Sequence, residues 1–393
     1  MKLRKNVMLM IGILMAVSLP MLLNCAKKEV GVTEDEILVG VWSAQTGPAA
    51  LWGAVARGTD CYFKMINDEG GIHGRKLKLL IRDDGYQPAR TKAVVKELVE
   101  KDGVFAFVGG LGTATGMAVK DYLHANKIPS IAPATGSQLF GNPPTRYLFT
   151  IYPTYTTEGS LLTKYAVETL KSEKIAFFYQ NDDYGEEGLK GAEDRLAKYN
   201  MELVAKVSVE ITDTDLSSHV LKLRESEADT VIMFLLPKQA AMTLKEATKL
   251  DFKPKWLTTS TLSDVDVMNK ITGGLWEGVF FDNWAELPNS DHPLMVKYRE
   301  VHKKYAPKEH WGVFFAAGFV FAEPFVEALR RVGRDLTREK LVEAMESIKN
   351  WNGGSTHNVT FGPNLRQGTN SIFIGKCENG RAVRISDWME IEQ

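Results

Sequence analysis

The stretch KLKLLIRDDGYQPARTKAVVKELVEKDGVFAFVGGLGTATG (76–116) decides how this chain folds. KLKLLIRDD is a β-rich run. PARTKAVVKELVEKDG has helical spacing, with Pro88 near its start and Gly103 just past its end, the positions where helices favour these residues. VFAFVGG reads as a strand again, and helical spacing returns from Met117 through GMAVKDYLHANK. Strands and helices that alternate over short connections form a parallel sheet covered by helices.

The alternation extends outward in both directions. ILVGVW (37–42) is a strand, GAVARGTDCYFKMINDEGG (53–71) a helix closed by Gly70-Gly71, and IPSIAPA (128–134) a short strand. The pattern then restarts with KIAFFYQND (174–182), a helix over 186–199, MELVAKVSV (201–209), a helix through DLSSHVLKLRESE and the run TVIMFLL (230–236). A helix over 238–250 precedes PKWLTTS (254–260), and a long one covers about 311–332. The chain ends in strand-like HNVTFGP, SIFIGKC and AVRISDW. Two such units in tandem predict an α/β protein of two lobes with parallel-sheet cores, which suits 393 residues at 44% hydrophobic and 25% charged.

Open parallel sheets bind ligands beyond the carboxyl ends of their strands. Those ends carry SAQTGPAALWG, GGLGTATG, APATGS, QNDDYGEEG, LLPKQ and TTSTLSD, which in two facing lobes converge on one cleft, with GGLGTATG expected as an exposed loop. GGLGTATG is not a nucleotide loop. Gly110-Leu-Gly112-Thr-Ala-Thr115 lacks the last glycine of G-x-G-x-x-G and follows the third strand rather than the first, and GxxxxGK[ST] is missing from the chain. Backbone N–H groups and the Thr113 hydroxyl at a helix start suit a single anionic group such as a carboxylate, and APATGS adds Thr135 and Ser137. Capped turns with glycine for backbone freedom explain the same residues without a ligand.

The net charge of −1 gives no electrostatic reason to expect nucleic acid. No metal or cofactor motif is visible in the sequence: the seven histidines are scattered, and neither HExxH nor paired CxxC occurs. Lys2, Arg4 and Lys5 precede the apolar VMLMIGILMAVSLPMLL, which is short, interrupted by Pro20 and reads as an export signal. LLNC resembles the lipobox of bacterial lipoproteins, with Cys25 the acylated residue and Asn24 a departure from the small residue usual before it. Plain signal cleavage and an uncleaved anchor are the other outcomes. Removing residues 1–24 lowers the net charge from −1 to −4. Cys61 and Cys377 read as two buried or half-buried thiols rather than a disulfide.

VGVWSAQTGPAALWGAVARG, the INDEGG…GTATG run, IPSIAPATGS and YQNDDYGEEG together resemble the leucine/isoleucine/valine-binding family of type I periplasmic binding proteins, the extracytoplasmic receptors of ABC importers. The resemblance implies two Rossmann-like lobes joined by three crossovers near Tyr152, Asp282 and Gly353. Residues 1–24 are then a signal peptide and 25–36 a tether. Residues 37–152 with 282–352 form the first lobe, and 153–281 with 353–393 the second. It implies a monomer in the periplasm or on the outer face of the cell membrane, partnered by permease subunits. The ligand is a small carboxylate, held by Thr113, Ala134, Thr135 and Gly136 of the first lobe. The family often has threonine or serine where Gly136 stands, so Thr135, Ser137 or backbone N–H groups replace that contact. Trp52 and Tyr184 match aromatics that close over the ligand, and Phe314 falls near a third.

Amino-acid binders of the family carry an acid where Ser260 stands; Asp264, Asp266 and, beside Tyr184, Asp182 and Asp183 are the nearest. A buried ammonium without an anion is costly. This leaves a hydrophobic amino acid or an aromatic or aliphatic acid as ligand. A ligand sensor of the same fold is the alternative. An envelope hydrolase has less support, since no GxSxG elbow, Cys/His pair or carboxylate pair stands out.

The lipobox reading predicts that the mature protein fractionates with membranes and that Cys25→Ala moves it to the soluble envelope fraction. An unchanged membrane fraction would refute acylation at Cys25.

Overall fold

The computed structural model describes residues 29–390. The signal stretch and Cys25 lie outside them. Helices are labelled below in chain order. The first sheet contains β1 (Glu36–Ser43), β2 (Lys76–Asp83), β3 (Ala106–Val108), β4 (Ser130–Ile131) and β5 (Leu148–Phe149), all parallel, in the order β2-β1-β3-β4-β5. Between them run α1 (Ala54–Asp68), α2 (Pro88–Glu100) and α3 (Thr113–Ala125).

The second sheet is parallel through β6 (Ile175–Gln180), β7 (Ala205–Val209), β8 (Thr230–Phe234), β9 (Lys255–Thr258) and β10 (Phe280–Asn283). Then β11 (Ser371–Glu378) adds antiparallel to β10, and β12 (Arg381–Arg384) antiparallel to β11. The order is β12-β11-β10-β9-β8-β6-β7, with β13 (Met389–Glu390) off the path on β11. Strands β3 and β8 are buried along their whole length, which is why they read as unbroken apolar runs.

Helices on the second sheet are α4 (Tyr155–Glu168), α5 (Asp183–Ala197), α6 (Ser217–Glu225), α7 (Pro237–Lys249) and α8 (Val265–Thr272). The chain then returns to the first lobe, where α9 (Pro293–Tyr305) and α10 (Val313–Val332) pack on α1 and α11 (Arg338–Glu346) packs on α10. Among the described residues no helix is long and apolar enough to cross a membrane.

Four of these helices are absent from the sequence reading. The clearest is α4, whose YTTEGSLLTKYAVE is rich in threonine, glycine and serine and weak in intrinsic helix propensity. Tertiary contacts supply what propensity lacks. Thr154 caps its first turn, and a Cβ on Gly159 would come within 2.2 Å of the Gly188 carbonyl oxygen of α5, so the two helices cross at a glycine contact. The α1–α10 crossing works in the same way: Gly58 and Gly318 face each other, and a Cβ on Gly58 would meet the Phe315 oxygen at 2.0 Å.

Three other expectations are corrected. HNVTFGP is a loop that makes only two isolated bridges, Trp351 to Val359 and Gly362 to Leu365, and joins neither sheet. α3 starts at Thr113, four residues before the apolar spacing begins, because Gly112 takes a left-handed φ of 99° and turns the chain directly from β3 into the helix. Residues 29–35 are docked on the first lobe rather than free as a tether. Val32 is buried and bridges to Ile37, Gly31 packs on the Phe105 backbone, and Arg75 donates to the Thr33 carbonyl. Cys61 and Cys377 are separate buried thiols, as expected.

Apolar α10 buries Glu323, whose carboxylate accepts hydrogen bonds from Tyr298 Oη and from the Ser355 N–H and hydroxyl. Burial pushes this carboxyl up from 4.5 to about 7, with the Ser355 and Tyr298 hydrogen bonds opposing the shift. Its neutral form therefore favours folding. That contribution is complete below the unfolded value of 4.5 and is lost as pH rises through about 7, a change on the order of 3 kcal/mol. We predict that Glu323→Gln flattens the fall in unfolding free energy across this window, measured by urea melts at several pH values. An unaltered slope would mean that Glu323 is ionised in the folded protein.

Candidate ligand site

Strand order reverses between β1 and β3 in the first sheet and between β6 and β8 in the second. Loops leaving the carboxyl ends of strands at such a reversal diverge and open a crevice. Here the two crevices face each other. Trp52 and Ala49 follow β1, and Leu111, Gly112 and Thr113 follow β3. Tyr184 follows β6 and Leu236 follows β8. All seven line one cavity, together with Tyr86, Ala134, Tyr152, Tyr155 and Thr261.

The lobes are closed over this cavity. The Trp52 indole N–H donates to the Thr261 carbonyl across the cleft at 3.2 Å. Ser137 Oγ and the Gln138 N–H donate to the two carboxylate oxygens of Glu187 on α5, at 2.5 and 2.8 Å. On the other flank, Asp264 accepts from the Phe314 N–H at 3.2 Å and so caps α10 from the opposite lobe. The enclosed space is narrow, with ≈ 30 Å³ open to the centre of a water molecule. The GGLGTATG loop, expected as exposed, is therefore buried, with Thr113 only 3% exposed.

α3 has no side-chain cap, because its N-cap residue is Gly112. The N–H groups of its first turn are left to whatever lies in front of them. Three hydroxyls gather there. Thr113 Oγ1 and Thr135 Oγ1 are 2.8 Å apart, and the Tyr155 hydroxyl lies 3.5 and 3.4 Å from them. Unpaired N–H groups, a helix dipole and hydroxyls together are the chemistry that favours an anion.

Gly136 lies against the Pro153 oxygen and the Tyr155 ring, where a Cβ would come within 2.3 and 2.8 Å, so no larger residue fits. Of the three substitutes considered for its missing hydroxyl, Thr135 faces Thr113, whereas Ser137 is engaged by Glu187. The Ala134 carbonyl accepts from the Gly112 N–H at 3.2 Å. Phe314 stands behind Trp52, ring centroids 4.8 Å apart, and does not line the cavity. Ser260 also lies behind the lining, bonded to Tyr152, Glu158 and Asp282.

No lining residue of this cavity carries a charged side chain. Asp182 caps α5 through the Tyr184 and Gly185 N–H groups, and Asp264 caps α8 as well as α10. Sequence reading missed Tyr86 and Tyr155. Tyr86 has a left-handed φ of 60° within a DGY turn, and Tyr155 opens an unrecognised helix, so no local pattern marked either.

Two α/β lobes closed over a buried, uncharged cavity with an uncapped helix start at one end define a bilobal ligand-binding protein. The family model described as periplasmic binding protein matches residues 36–382, and the chain belongs to that family, in its leucine/isoleucine/valine-binding branch with the type I fold. It is 26% identical to the leucine-specific-binding protein of Salmonella typhimurium over 63% of this chain and 67% of that one. A fatty acid ABC transporter substrate-binding protein from Thermomonospora curvata shares the fold at TM-score 0.85, 24% identity and 93% and 95% coverage. A branched chain amino acid ABC transporter protein from Thermus thermophilus with bound valine does so at TM-score 0.83, 20% identity and 92% and 98% coverage.

The cross-cleft bonds predict closure on ligand. X-ray scattering should give a smaller radius of gyration at ligand saturation than without ligand. Removing the two hydrogen bonds to Glu187 by Glu187→Ala should weaken binding by roughly five- to thirtyfold, about 1–2 kcal/mol, measured by calorimetry. Identical scattering curves would contradict domain closure.

Proposed function

We propose that this chain is the extracytoplasmic substrate-binding component of an ABC importer, anchored through Cys25 and delivering a small hydrophobic carboxylate to its permease. The observation that carries this reading is the uncapped start of α3 beside Thr113, Thr135 and Tyr155, inside a closed cavity of aromatic and aliphatic side chains. The ligand's carboxylate caps the helix and its apolar body lies among Trp52, Tyr86, Tyr184 and Leu236. With no anion on the cavity wall, the site favours an aliphatic or aromatic acid over the amino acid of the same shape. We read the role as binding rather than catalysis, which the substrate-binding relatives support.

We take residues 37–152 with 282–352 as the first lobe and 153–281 with 353–393 as the second; the sheet membership of the strands supports this division except at β10, whose last residues Asp282 and Asn283 stay in the second sheet. Ligand released from the purified protein by denaturation, identified by mass spectrometry, tests the ligand class directly.

A hydrogen bond to a charged group contributes about 1.5–3 kcal/mol, so Thr113→Val should weaken carboxylate binding by roughly ten- to a hundredfold. The loss should be far smaller for the corresponding neutral amide. Equal losses for acid and amide, measured by calorimetry, would mean that Thr113 only shapes the loop.

A further inference from the structure

Behind the cavity wall on the second lobe lie two carboxyl groups that the anion site does not use. Glu158 on α4 and Asp282 at the end of β10 are both fully buried. Glu158 Oε2 and Asp282 Oδ2 are buried with no hydrogen-bond donor to either, and the two acids stand close enough to repel each other's charge. Their remaining oxygens converge on one residue. Asp282 Oδ1 accepts from the Ser260 N–H at 2.7 Å, and Glu158 Oε1 is 2.8 Å from Ser260 Oγ. Ser260 Oγ is in turn 2.5 Å from the hydroxyl of Tyr152, which lines the cavity.

Among the described residues neither carboxyl has an ion pair with a basic side chain. The titratable groups facing Glu158 are Asp282 of β10, Tyr152 from the crossover, Tyr155 of α4 itself and Tyr184 of α5. Facing Asp282 is Glu158 alone. Two carboxylates that touch in a dry interior without a cation cannot both ionise, so the pair retains one proton at neutral pH. Burial pushes both groups upward, and for Asp282 the neighbouring Glu158 charge adds to the shift.

A second proton on the pair has a defined consequence. With one proton, shared between Oε2 and Oδ2, Oε1 of Glu158 is an acceptor. Ser260 then donates to Glu158, Tyr152 donates to Ser260, and the Tyr152 oxygen offers only lone pairs to the cavity. With a second proton on Oε1, Glu158 donates to Ser260, Ser260 donates to Tyr152, and the Tyr152 O–H turns away from Ser260 toward the cavity, where a ligand acceptor competes for it with Thr261 Oγ1, 3.4 Å away. The proton comes from solvent and returns to it, and each hydroxyl keeps one hydrogen throughout.

We propose that Glu158, Asp282 and Ser260 are specificity-determining residues: the protonation of the carboxyl pair sets whether Tyr152 meets the ligand as hydrogen-bond donor or acceptor. Donor polarity suits an acceptor or anionic group. Acceptor polarity, with one net negative charge behind it, suits a ligand ammonium. Preference for a plain acid over its amino acid analogue therefore falls as pH rises. The proposal rests on the cavity being the ligand site, and its test separates the two.

Raman difference spectra between wild type and Tyr152→Phe isolate the Tyr152 ring doublet, which reports whether a phenol donates or accepts. No ligand is needed. Between mildly alkaline and mildly acid buffer the doublet should change from the donating to the accepting form, and the change should disappear in Glu158→Gln. Ser260→Ala cuts the relay while leaving both carboxyls in place and should abolish the change too. It serves if Glu158→Gln does not fold. A doublet that stays constant with pH in wild type, or that still responds in Ser260→Ala, overturns the relay.

Calorimetry with 4-methylpentanoate and L-leucine, in buffers of different ionisation enthalpy, should then show proton uptake with the first and release with the second. Both should vanish in Glu158→Gln. Binding of either probe by wild type without proton exchange overturns the proposal. A pH-responsive doublet with no binding of either probe instead upholds the relay and overturns the assigned ligand class.

Discussion

A helix whose first turn has no side chain to cap it must leave its N–H groups facing something other than the protein. In this molecule that helix is α3, and the rest of the cleft is arranged around its start. Gly112 allows the abrupt turn from β3 and supplies no capping atom. Thr113, Thr135 and Tyr155 then gather their hydroxyls at the same point from three different parts of the chain. Gly136 is required because Tyr155 needs its space. The lobes close over this point, so the polar groups are buried, and among the cavity-lining residues none is basic.

The opposite wall follows another rule. Polar groups facing the cavity on the second lobe are hydroxyls and carbonyls, backed by acids rather than exposed as acids. Glu158 and Asp282 sit one layer back, joined to Tyr152 through Ser260. A carboxylate on the wall itself would fix the polarity of the site. Placed behind a serine and a tyrosine, it sets polarity through hydrogen-bond direction, which a proton can reverse. Both carboxyls stand beside crossovers, so this layer belongs to the hinge region as much as to the cavity.

The sequence made the alternation of strands and helices legible, because runs such as TVIMFLL and helices such as α2 carry strong local periodicity and clear end signals. It also marked Thr113 and Thr135 as cleft residues, since strand-end loops are where a parallel sheet holds ligands, and the family resemblance added Trp52 and Tyr184. It did not mark α4, whose stability comes from a cap and a glycine crossing rather than propensity. Tyr155 and Glu158 were hidden along with that helix. Phe314 and Ser260 were assigned to the right region but to the wrong layer: one backs Trp52 and the other joins the buried carboxyls to Tyr152.

By itself, the sequence determined the two-lobed α/β plan, the absence of a nucleotide fingerprint and the hydroxyl-bearing turn at Thr113. These are local properties, set by periodicity, by glycine and by residues adjacent in the chain. Only the tertiary structure decided which hydroxyl replaces the one missing at Gly136, that Asp264 caps α10 from the opposite lobe, and that Glu158 stands beside Asp282; capping by Asp182 is what the local sequence itself favours. Those outcomes depend on contacts between residues up to 124 positions apart, as for the carboxyl pair. A side chain's role there is set by what the fold places within hydrogen-bond distance, and no local pattern records that.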